Sequence, residues 1–118
     1  MLRKFSHIIV VPGTLSANVI ATYTAPSDCR IVHVSSVASN DSDGRFKIGN
    51  SSDDDCYLLY SNLGDSGTPA VLDEPGDFRY DTYPRISKDE VVVITIDFDG
   101  ISGTPAADVT LVLTYQEG

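Results

Sequence analysis

The segments "EVVVITIDFD" (residues 90–99) and "DVTLVLTYQ" (residues 108–116) decide the fold class, because both alternate with a period of two. Val, Ile, Thr and Tyr suit a pleated surface with one buried face. The expected inward positions are Val92, Ile94, Ile96 and Phe98 in the first segment and Val109, Leu111, Leu113 and Tyr115 in the second. Both segments are therefore predicted to be β-strands that pack one face against a core.

Earlier segments repeat this alternation, and turn residues such as Pro-Gly, Asp-Gly and Gly-Thr-Pro separate them. In residues 29–39 we expect Val32, Val34, Ser36 and Ala38 to share a face. Residues 63–90 are the least regular, with one short strand candidate at Ala70–Leu72. We expect a single domain, residues 1–118, with a short basic N-terminal arm at residues 1–4.

The predicted fold class is all-β: an antiparallel sandwich of about seven or eight strands, with at most one short helical turn. A jelly roll is favoured over an immunoglobulin-like sandwich, because the chain has no Trp for the Cys…Trp…Cys pattern of the latter.

The stretch "KIGNSSDDDCYLLY" (residues 47–60) places three consecutive aspartates between apolar runs. Ser51 or Ser52 can cap a helix, and aspartates are favourable in a first turn, so a helical turn from about residue 53 to 61 is favoured. A strand at residues 57–60 is the competing interpretation.

Calcium loops of the EF-hand kind fit the sequence poorly. The loops built on Gly44 and Gly100 lack the bidentate Glu at the twelfth position, where Asn50 and Ala106 stand. Asp-Gly at both places indicates a tight hairpin turn. A loop site formed by residues 53–55 with the acidic group Asp73, Glu74, Asp77 and Asp81 is a minority alternative to a solvated face. We expect no metal and no cofactor.

No catalytic group is indicated. Cys29, Ile31 and His33 are expected on one strand face, where Cys29 and His33 stand roughly 13 Å apart at about 3.3 Å per residue, too far to bond. Cys29 and Cys56 are expected to be reduced thiols, and a disulfide remains open if the protein matures outside the cell. The sequence indicates a protein that is not an enzyme.

Seventeen acidic and eight basic residues give a net charge of −9, which disfavours nucleic-acid binding. No apolar run approaches the roughly 20 residues of a membrane helix. The N-terminus, "MLRKFSHIIVVPG", is too short in apolar residues for a signal peptide, so we expect an unprocessed chain made in the cytoplasm.

The irregular middle of the chain carries the candidate interface: Phe78, Arg79, Tyr80, Tyr83 and Arg85. Aromatic and Arg side chains are enriched at protein interfaces. The alternative is that several of the aromatic side chains cover the edge of the core. Arg3 and Lys4 of the basic arm are the other interface candidates, against a frayed, solvated end.

Four stretches together resemble small proteins encoded in the virion-structure modules of tailed bacteriophages: "VPGTLSANV" (11–19), "KIGNSSDDD" (47–55), "GDSGTPA" (64–70) and "VTLVLTY" (109–115). The resemblance implies a jelly-roll capsid decoration or cement protein that binds the major capsid protein of the head shell. It also implies a homotrimer on the capsid surface, assembled in the host cytoplasm. From the charge and the short apolar runs we expect no nucleic-acid and no membrane partner. The alternative is a carbohydrate-binding or receptor-binding module of a phage fibre or tail, with Tyr60, Tyr80 and Tyr83 stacking on sugar.

Overall fold

The computed structural model describes residues 3–118, so Met1 and Leu2 of the predicted basic arm lie outside the described residues. Nine strands make up the fold of residues 3–118. They are β1 (Lys4–Thr14), β2 (Val19–Thr24), β3 (Cys29–Val37), β4 (Arg45–Asn50), β5 (Leu58–Asn62), β6 (Ala70–Leu72), β7 (Arg85–Ile86), β8 (Val91–Asp97) and β9 (Ala107–Glu117).

The strands form two antiparallel sheets. The first sheet has the order β1-β9-β3-β6, with β7 also paired to β3, and the second sheet has the order β2-β8-β4-β5. This arrangement of eight main strands in two four-stranded sheets is that of a jelly roll. The predicted fold class is confirmed, and so is the short strand at Ala70–Leu72. The additional strand is β7, which is only two residues long.

The core lies between the two sheets and is built from the alternating positions. Val109, Leu111, Leu113 and Tyr115 of β9 are fully buried, and so are Val92, Ile94 and Ile96 of β8. At one end of the core the Tyr115 ring stacks on Phe5 and on Tyr23, with ring centroids 5.4 Å and 5.2 Å apart. The His7 ring stacks on Tyr23 at 4.8 Å, so β1 and β2 lie opposite each other across the sandwich.

A β-bulge in β3 overturns one predicted face. Two residues of β3, Val32 and His33, stand against Thr114 alone, because Ile31 pairs with Tyr115 and His33 already pairs with Thr114. Cys29 and Ile31 point inward before the bulge and Val34 after it. The extra residue changes the alternation. Val32 therefore does not share the inward face of Val34, Ser36 and Ala38, and His33 does not share the face of Cys29.

The three aspartates do not begin a helix, and the strand alternative is right: they lie in the connection between β4 and β5. The Asn50 side chain caps this connection, its Oδ1 accepting the backbone N–H groups of Ser52 and Asp53 at 2.9 Å each. The N–H of Tyr57 donates to the carbonyl of Ile48 at 3.1 Å and starts the pairing of the two strands. Residues that cap a helix also cap such a turn.

The Asp-Gly pairs are not hairpin turns, because each lies in a connection that crosses between the sheets. Asp43 precedes β4 and Gly100 precedes β9, and the two connections bond each other. The N–H of Thr104 donates to Asp43 Oδ2 at 2.7 Å, and the N–H of Asp43 donates to the carbonyl of Thr104 at 2.9 Å. Gly100 does have a positive φ, 62°.

Helical structure among the described residues consists of two single 3-10 turns, Pro75–Asp77 and Arg79–Asp81. Both fall in the segment expected to be a loop. The side chain of Asp77 holds the first turn, because its Oδ2 accepts the N–H groups of Asp73 and Glu74 at 3.1 Å and 3.0 Å. No helix among residues 3–118 has the length and apolar run needed to cross a bilayer.

Candidate interaction surface

Segment 73–85 is fixed to the sandwich by contacts of two consecutive residues. Phe78 is only 3% exposed and belongs to the core, with its ring 6.0 Å from that of Tyr83. The N–H of Arg79 donates to the carbonyl of Tyr57 at 3.1 Å, and its Nη1 donates to the carbonyl and the Oδ1 of Asp55 at 3.1 Å and 3.2 Å. The segment is therefore a defined surface feature that covers the start of β5.

Tyr80 is the most exposed aromatic residue that this segment presents. Its side chain is 76% exposed and its φ is 65°, a left-handed conformation that costs a non-glycine residue roughly 1–2 kcal/mol. The Arg79 guanidinium lies 5.0 Å from the centre of the ring. Strained residues with an exposed side chain cluster at functional sites, so Tyr80 is a candidate contact.

The outer face of the first sheet, which is turned away from the core, has an unusual charge distribution. Between Asp73 at one end and Asp108 at the other, no outward residue of its strands is acidic, although the chain carries seventeen acids. From register and burial, the outward residues are Lys4, Ser6, Ile8 and Val10 of β1, Thr110, Val112, Thr114 and Gln116 of β9, Arg30, Val32, His33, Ser35 and Val37 of β3, Val71 of β6 and Arg85 of β7.

Basic side chains form a row at one end of this outer face. Lys4 pairs with Gln116, Gln116 with Arg30, and Arg30 with Arg85, so the four residues stand side by side across four strands. Within the described part of the chain Lys4, Arg30 and Arg85 have no carboxylate at ion-pair distance, whereas Arg3, Arg45, Lys47 and Arg79 each have one. We call Lys4, Gln116, Arg30 and Arg85 the basic row.

A depression of about 550 Å³ lies beside the basic row. The phenol of Tyr83 forms one wall and donates a hydrogen bond of 2.8 Å to the carbonyl of Asp73. The residues that line the depression are Lys4, Val32, His33, Asp73, Tyr83, Thr114 and Gln116. The Nε of Arg30 is buried and has no hydrogen-bond acceptor among the described residues. Lys4, which lines the depression and has no carboxylate at ion-pair distance among the described residues, is therefore the free donor at this end of the outer face.

The other end of the outer face is apolar. Ile8 and Val10 of β1 are 62% and 63% exposed, and Val112 of β9 stands beside Ile8. Val71 of β6, 48% exposed, continues the same row through Ser35. An apolar area with a polar margin is typical of a protein interface.

The structure brings only part of the predicted interface together. Lys4, Tyr83 and Arg85 lie on the outer face, and Arg79 and Tyr80 lie on the other side of segment 73–85. Arg3 is bound to Glu117 Oε2 at 2.7 Å. Phe78 is buried and supports the segment from below.

Sequence reasoning missed three residues of this surface: Arg30, His33 and Gln116. The signal that would have found them is the lack of acids at the outward positions of the alternating strands.

The tyrosines of the sugar-binding alternative do not form one platform. Tyr60 lies under the Arg45 guanidinium at 3.8 Å and near Lys47 Nζ at 4.9 Å. It lines a separate depression of about 220 Å³ on the second sheet, whereas Tyr83 lines the depression of the first.

The aspartate run forms a compact acidic group that basic residues partly neutralise. One oxygen from each of Asp53, Asp54 and Asp55 lies within 4.8 Å of the others. Lys47 Nζ contacts Asp54 at 3.0 Å, and Arg79 Nη1 contacts Asp55 at 3.2 Å. A hydrogen bond with Asp53, helped by burial and the Asp53 charge, raises the pKa of the Asp55 carboxyl. Segment 73–85 thus brings an arginine to this group.

The two thiols are not activated nucleophiles. Cys29 and Cys56 are both free, and Cys29 is buried. Burial raises the pKa of the Cys29 thiol, and the charges of Asp28 and Glu90 raise it further. Burial also raises the pKa of the Cys56 thiol. A raised pKa keeps a thiol protonated and unreactive near neutral pH.

Comparisons with known proteins give one informative likeness. No protein-family model matches the chain, and no curated protein matches it in sequence. Among solved structures, it is similar to a chain of the "Cyanophage Pam1 capsid asymmetric unit", with a TM-score of 0.57 and 14% sequence identity. The match covers 99% of this chain and 85% of that chain. At this identity, the likeness shows that the two chains share a fold.

Proposed function

We propose that this protein is a structural component of a tailed-phage virion, a decoration or cement protein that binds the major capsid protein on the outside of the head shell as a homotrimer. Two independent likenesses support a virion role. The sequence resembles phage virion proteins, and nearly the whole chain shares its fold with a chain from a cyanophage capsid.

The observation that carries the proposal is the outer face of the first sheet, whose strands carry no outward acid between Asp73 and Asp108. In a chain of net charge −9, this face combines unpaired basic groups at one end with exposed Ile8 and Val10 at the other. We assign it as the surface that meets the shell, with Lys4, Arg85 and Tyr83 from the predicted interface and Arg30 beside them.

The mechanism of such a protein is burial of surface. Apolar area removed from water contributes about 25 cal/mol per Å², and specific interfaces bury about 1,200–2,000 Å² in total. Ile8, Val10 and Val112 supply the apolar part, and the basic row pairs with carboxylates of the partner. A clamp across shell subunits stabilises them without any chemical step.

Binding to shells that lack the protein tests the proposal. Virions of the encoding phage should contain the protein, and a deletion phage supplies bare shells for co-sedimentation with purified protein. Arg85→Glu should weaken binding by about tenfold or more, since it places a carboxylate in the basic row. Lys88→Glu is the matched control, because Lys88 is exposed and lies outside the row.

The proposal is refuted if the protein is absent from virions, or if Arg85→Glu binds bare shells as well as the unchanged protein does. The molar mass of the purified protein by light scattering tests the trimer separately.

A second candidate function, sugar binding, has one observation in its favour. The depression at Tyr83 combines an aromatic wall with the polar side chains of His33 and Gln116, a combination found in sugar-binding sites. A glycan array with the unchanged protein and with Tyr83→Ala tests it: signal that disappears in the variant supports sugar binding, and no signal in either rejects it.

A further inference from the structure

Strand β1 is an open edge of the first sheet. It pairs with β9 on one side, and no described residue pairs with it on the other. Native proteins usually blunt such edges with charges, prolines or bulges. From Phe5 to Val11, β1 has none of these: the nearest charged residues, Arg3 and Lys4, lie before this stretch, and Pro12 and the register irregularity lie after it.

The unpaired backbone groups of β1 belong to its even-numbered residues. The carbonyl of Arg3 accepts the N–H of Glu117 at 2.8 Å, in the same register that continues to Val11. In an antiparallel ladder, the residues that bond a given neighbour recur at every second position. Odd residues therefore bond β9, and the N–H and C=O groups of Lys4, Ser6, Ile8 and Val10 face the open edge.

We propose that the open edge of β1 binds β1 of a second copy of this chain, antiparallel and around a two-fold axis, with Ser6 opposite Ile8 and Lys4 opposite Val10. Each of these pairs exchanges N–H···O=C bonds in both directions, so all four unpaired donors of the edge are used. The next even residue, Pro12, has no N–H and falls just beyond the ladder. The result is one continuous sheet across two copies.

The side chains on the outer face agree with this register. Ile8 of each copy lies beside Ser6 of the other and diagonally across from the second Ile8, which gives the seam an apolar centre. The two Lys4 side chains stand at opposite ends, about 20 Å apart at 3.3 Å per residue. The outward carboxylate that follows Val10 in the partner's sheet is Asp108 of β9, which accepts the N–H of Gly13 at 2.7 Å. Each Lys4 therefore lies at the end of the partner's sheet that carries this acid.

Neighbouring registers satisfy the edge less well. A shift that places Ser6 opposite Ser6 leaves Val10 without a partner within residues 4–10. The opposite shift places Ile8 opposite Ile8, and then Lys4 faces Pro12, which cannot donate. Among pairs formed within residues 4–10, only the proposed register bonds both the N–H and the C=O of all four residues.

The contact is small, so it is expected to be weak in free protein. A single strand seam buries less than the roughly 1,200 Å² of the smaller specific interfaces. It becomes stronger wherever copies are held close together, because the effective concentration is then high. If the proposed function holds, bound copies on a shell would be linked through their first sheets.

Disulfide trapping tests both the pairing and the register. Variants Ser6→Cys and Ile8→Cys are made in a Cys56→Ser background, and each is oxidised alone and in an equimolar mixture. In the proposed register, residues 6 and 8 of two copies are about 5.5 Å apart in Cα, within disulfide range. Like residues are diagonal, more than about 7 Å apart, and outside that range.

A disulfide-linked dimer on a non-reducing gel from the mixture, with none from either variant alone, is the expected result. A dimer from Ser6→Cys alone or from Ile8→Cys alone overturns the register, and no dimer in any sample overturns the pairing. The proposed pairing of β1 with β1 does not depend on whether the protein forms a trimer through other surfaces or binds shells.

Sedimentation of two lysine variants provides a check without cysteines. Ile8→Lys should weaken concentration-dependent self-association by about tenfold or more, because it places a charge at the centre of the seam. Ile20→Lys is the matched control, since Ile20 is 68% exposed on β2, the edge of the other sheet. Equal association of the two variants overturns the proposal.

Discussion

Replacing Gly49 with alanine tests why the aspartate run folds as it does. Gly49 is buried in β4, and the connection that carries Asp53 and Asp54 crosses directly over its Cα. An added Cβ would meet the carbonyl oxygen of Asp53 and the carbonyl carbon of Asp54, and would stand 2.6 Å from the Cα of Asp54. All three are backbone atoms, so no side-chain rotation relieves the clash.

The size of the effect follows from how firmly this connection is held. The N–H of Asn50 donates to the carbonyl of Asp53 at 2.9 Å, and the Asn50 side chain caps two further N–H groups. Overpacking typically costs about 1–3 kcal/mol, and we expect about 3 kcal/mol here because backbone must move. With an unfolding entropy of about 2.1 cal/mol/K per residue, that loss lowers the melting temperature by roughly 12 °C.

Thermal unfolding by circular dichroism measures the effect, with Gly76→Ala as the matched control. Nothing lies within 4 Å of a Cβ at Gly76, and its φ is not positive. That control should melt at or slightly above the temperature of the unchanged protein, because alanine reduces the freedom of the unfolded chain. If Gly49→Ala melts within about 3 °C of Gly76→Ala, the close approach does not constrain the connection and the reasoning fails.

Three further predictions concern single side chains. Burial lowers the pKa of His7 below its usual value of 6.5, so the unfolded chain binds the proton more readily. Stability to urea should therefore fall as the pH drops below about 6.5, and a slope that persists in His7→Phe would assign it to other groups. Arg45→Met should cost about 2–3 kcal/mol in urea unfolding, because it leaves the 5%-exposed Asp97 without its 2.8 Å partner; a loss as small as that of Arg3→Met would contradict this. Tyr80→Gly should not lower the melting temperature, since glycine accepts a φ of 65°, and a drop of several degrees would show that the ring stabilises the fold.

The strands were predictable because their signal is local. In β9 from Val109 to Tyr115, and in the first half of β8, every second residue is buried, so the sequence itself shows the period of the pleat. The bulge at Val32 was not predictable, since Val32 is itself apolar and follows the apolar Ile31, so the extra residue leaves no local mark. The aspartate connection was mistaken for a helical turn because the same short polar residues cap both, and the close approach of Gly49 that decides between them is a tertiary contact.

The candidate surface was harder to predict because it is assembled from distant parts of the chain. Lys4, Arg30, Arg85 and Gln116 become neighbours only through the order of the first sheet. Sequence reasoning selected Arg85, Tyr83 and Phe78 because aromatic and arginine residues occur together in segment 73–85. Composition of a segment does not show which of its aromatic rings is the anchor in the core and which faces outward.

Most of the acidic residues that give the net charge of −9 lie in the loops and not on the surface that we assign to the partner. Several acids at the end of the sandwich near Asp108 have structural roles: Asp43 accepts the N–H of Thr104, Asp65 that of Ser42, and Asp99 that of Ile101. Capping of loop N–H groups accounts for these carboxylates, without a bound metal or a basic partner. The outward positions of the first sheet are spared this task, because its strand amides, apart from those on the open edge of β1, are already paired within the ladder. The surface left for binding is therefore basic and apolar, and an acidic partner is compatible with a strongly acidic chain.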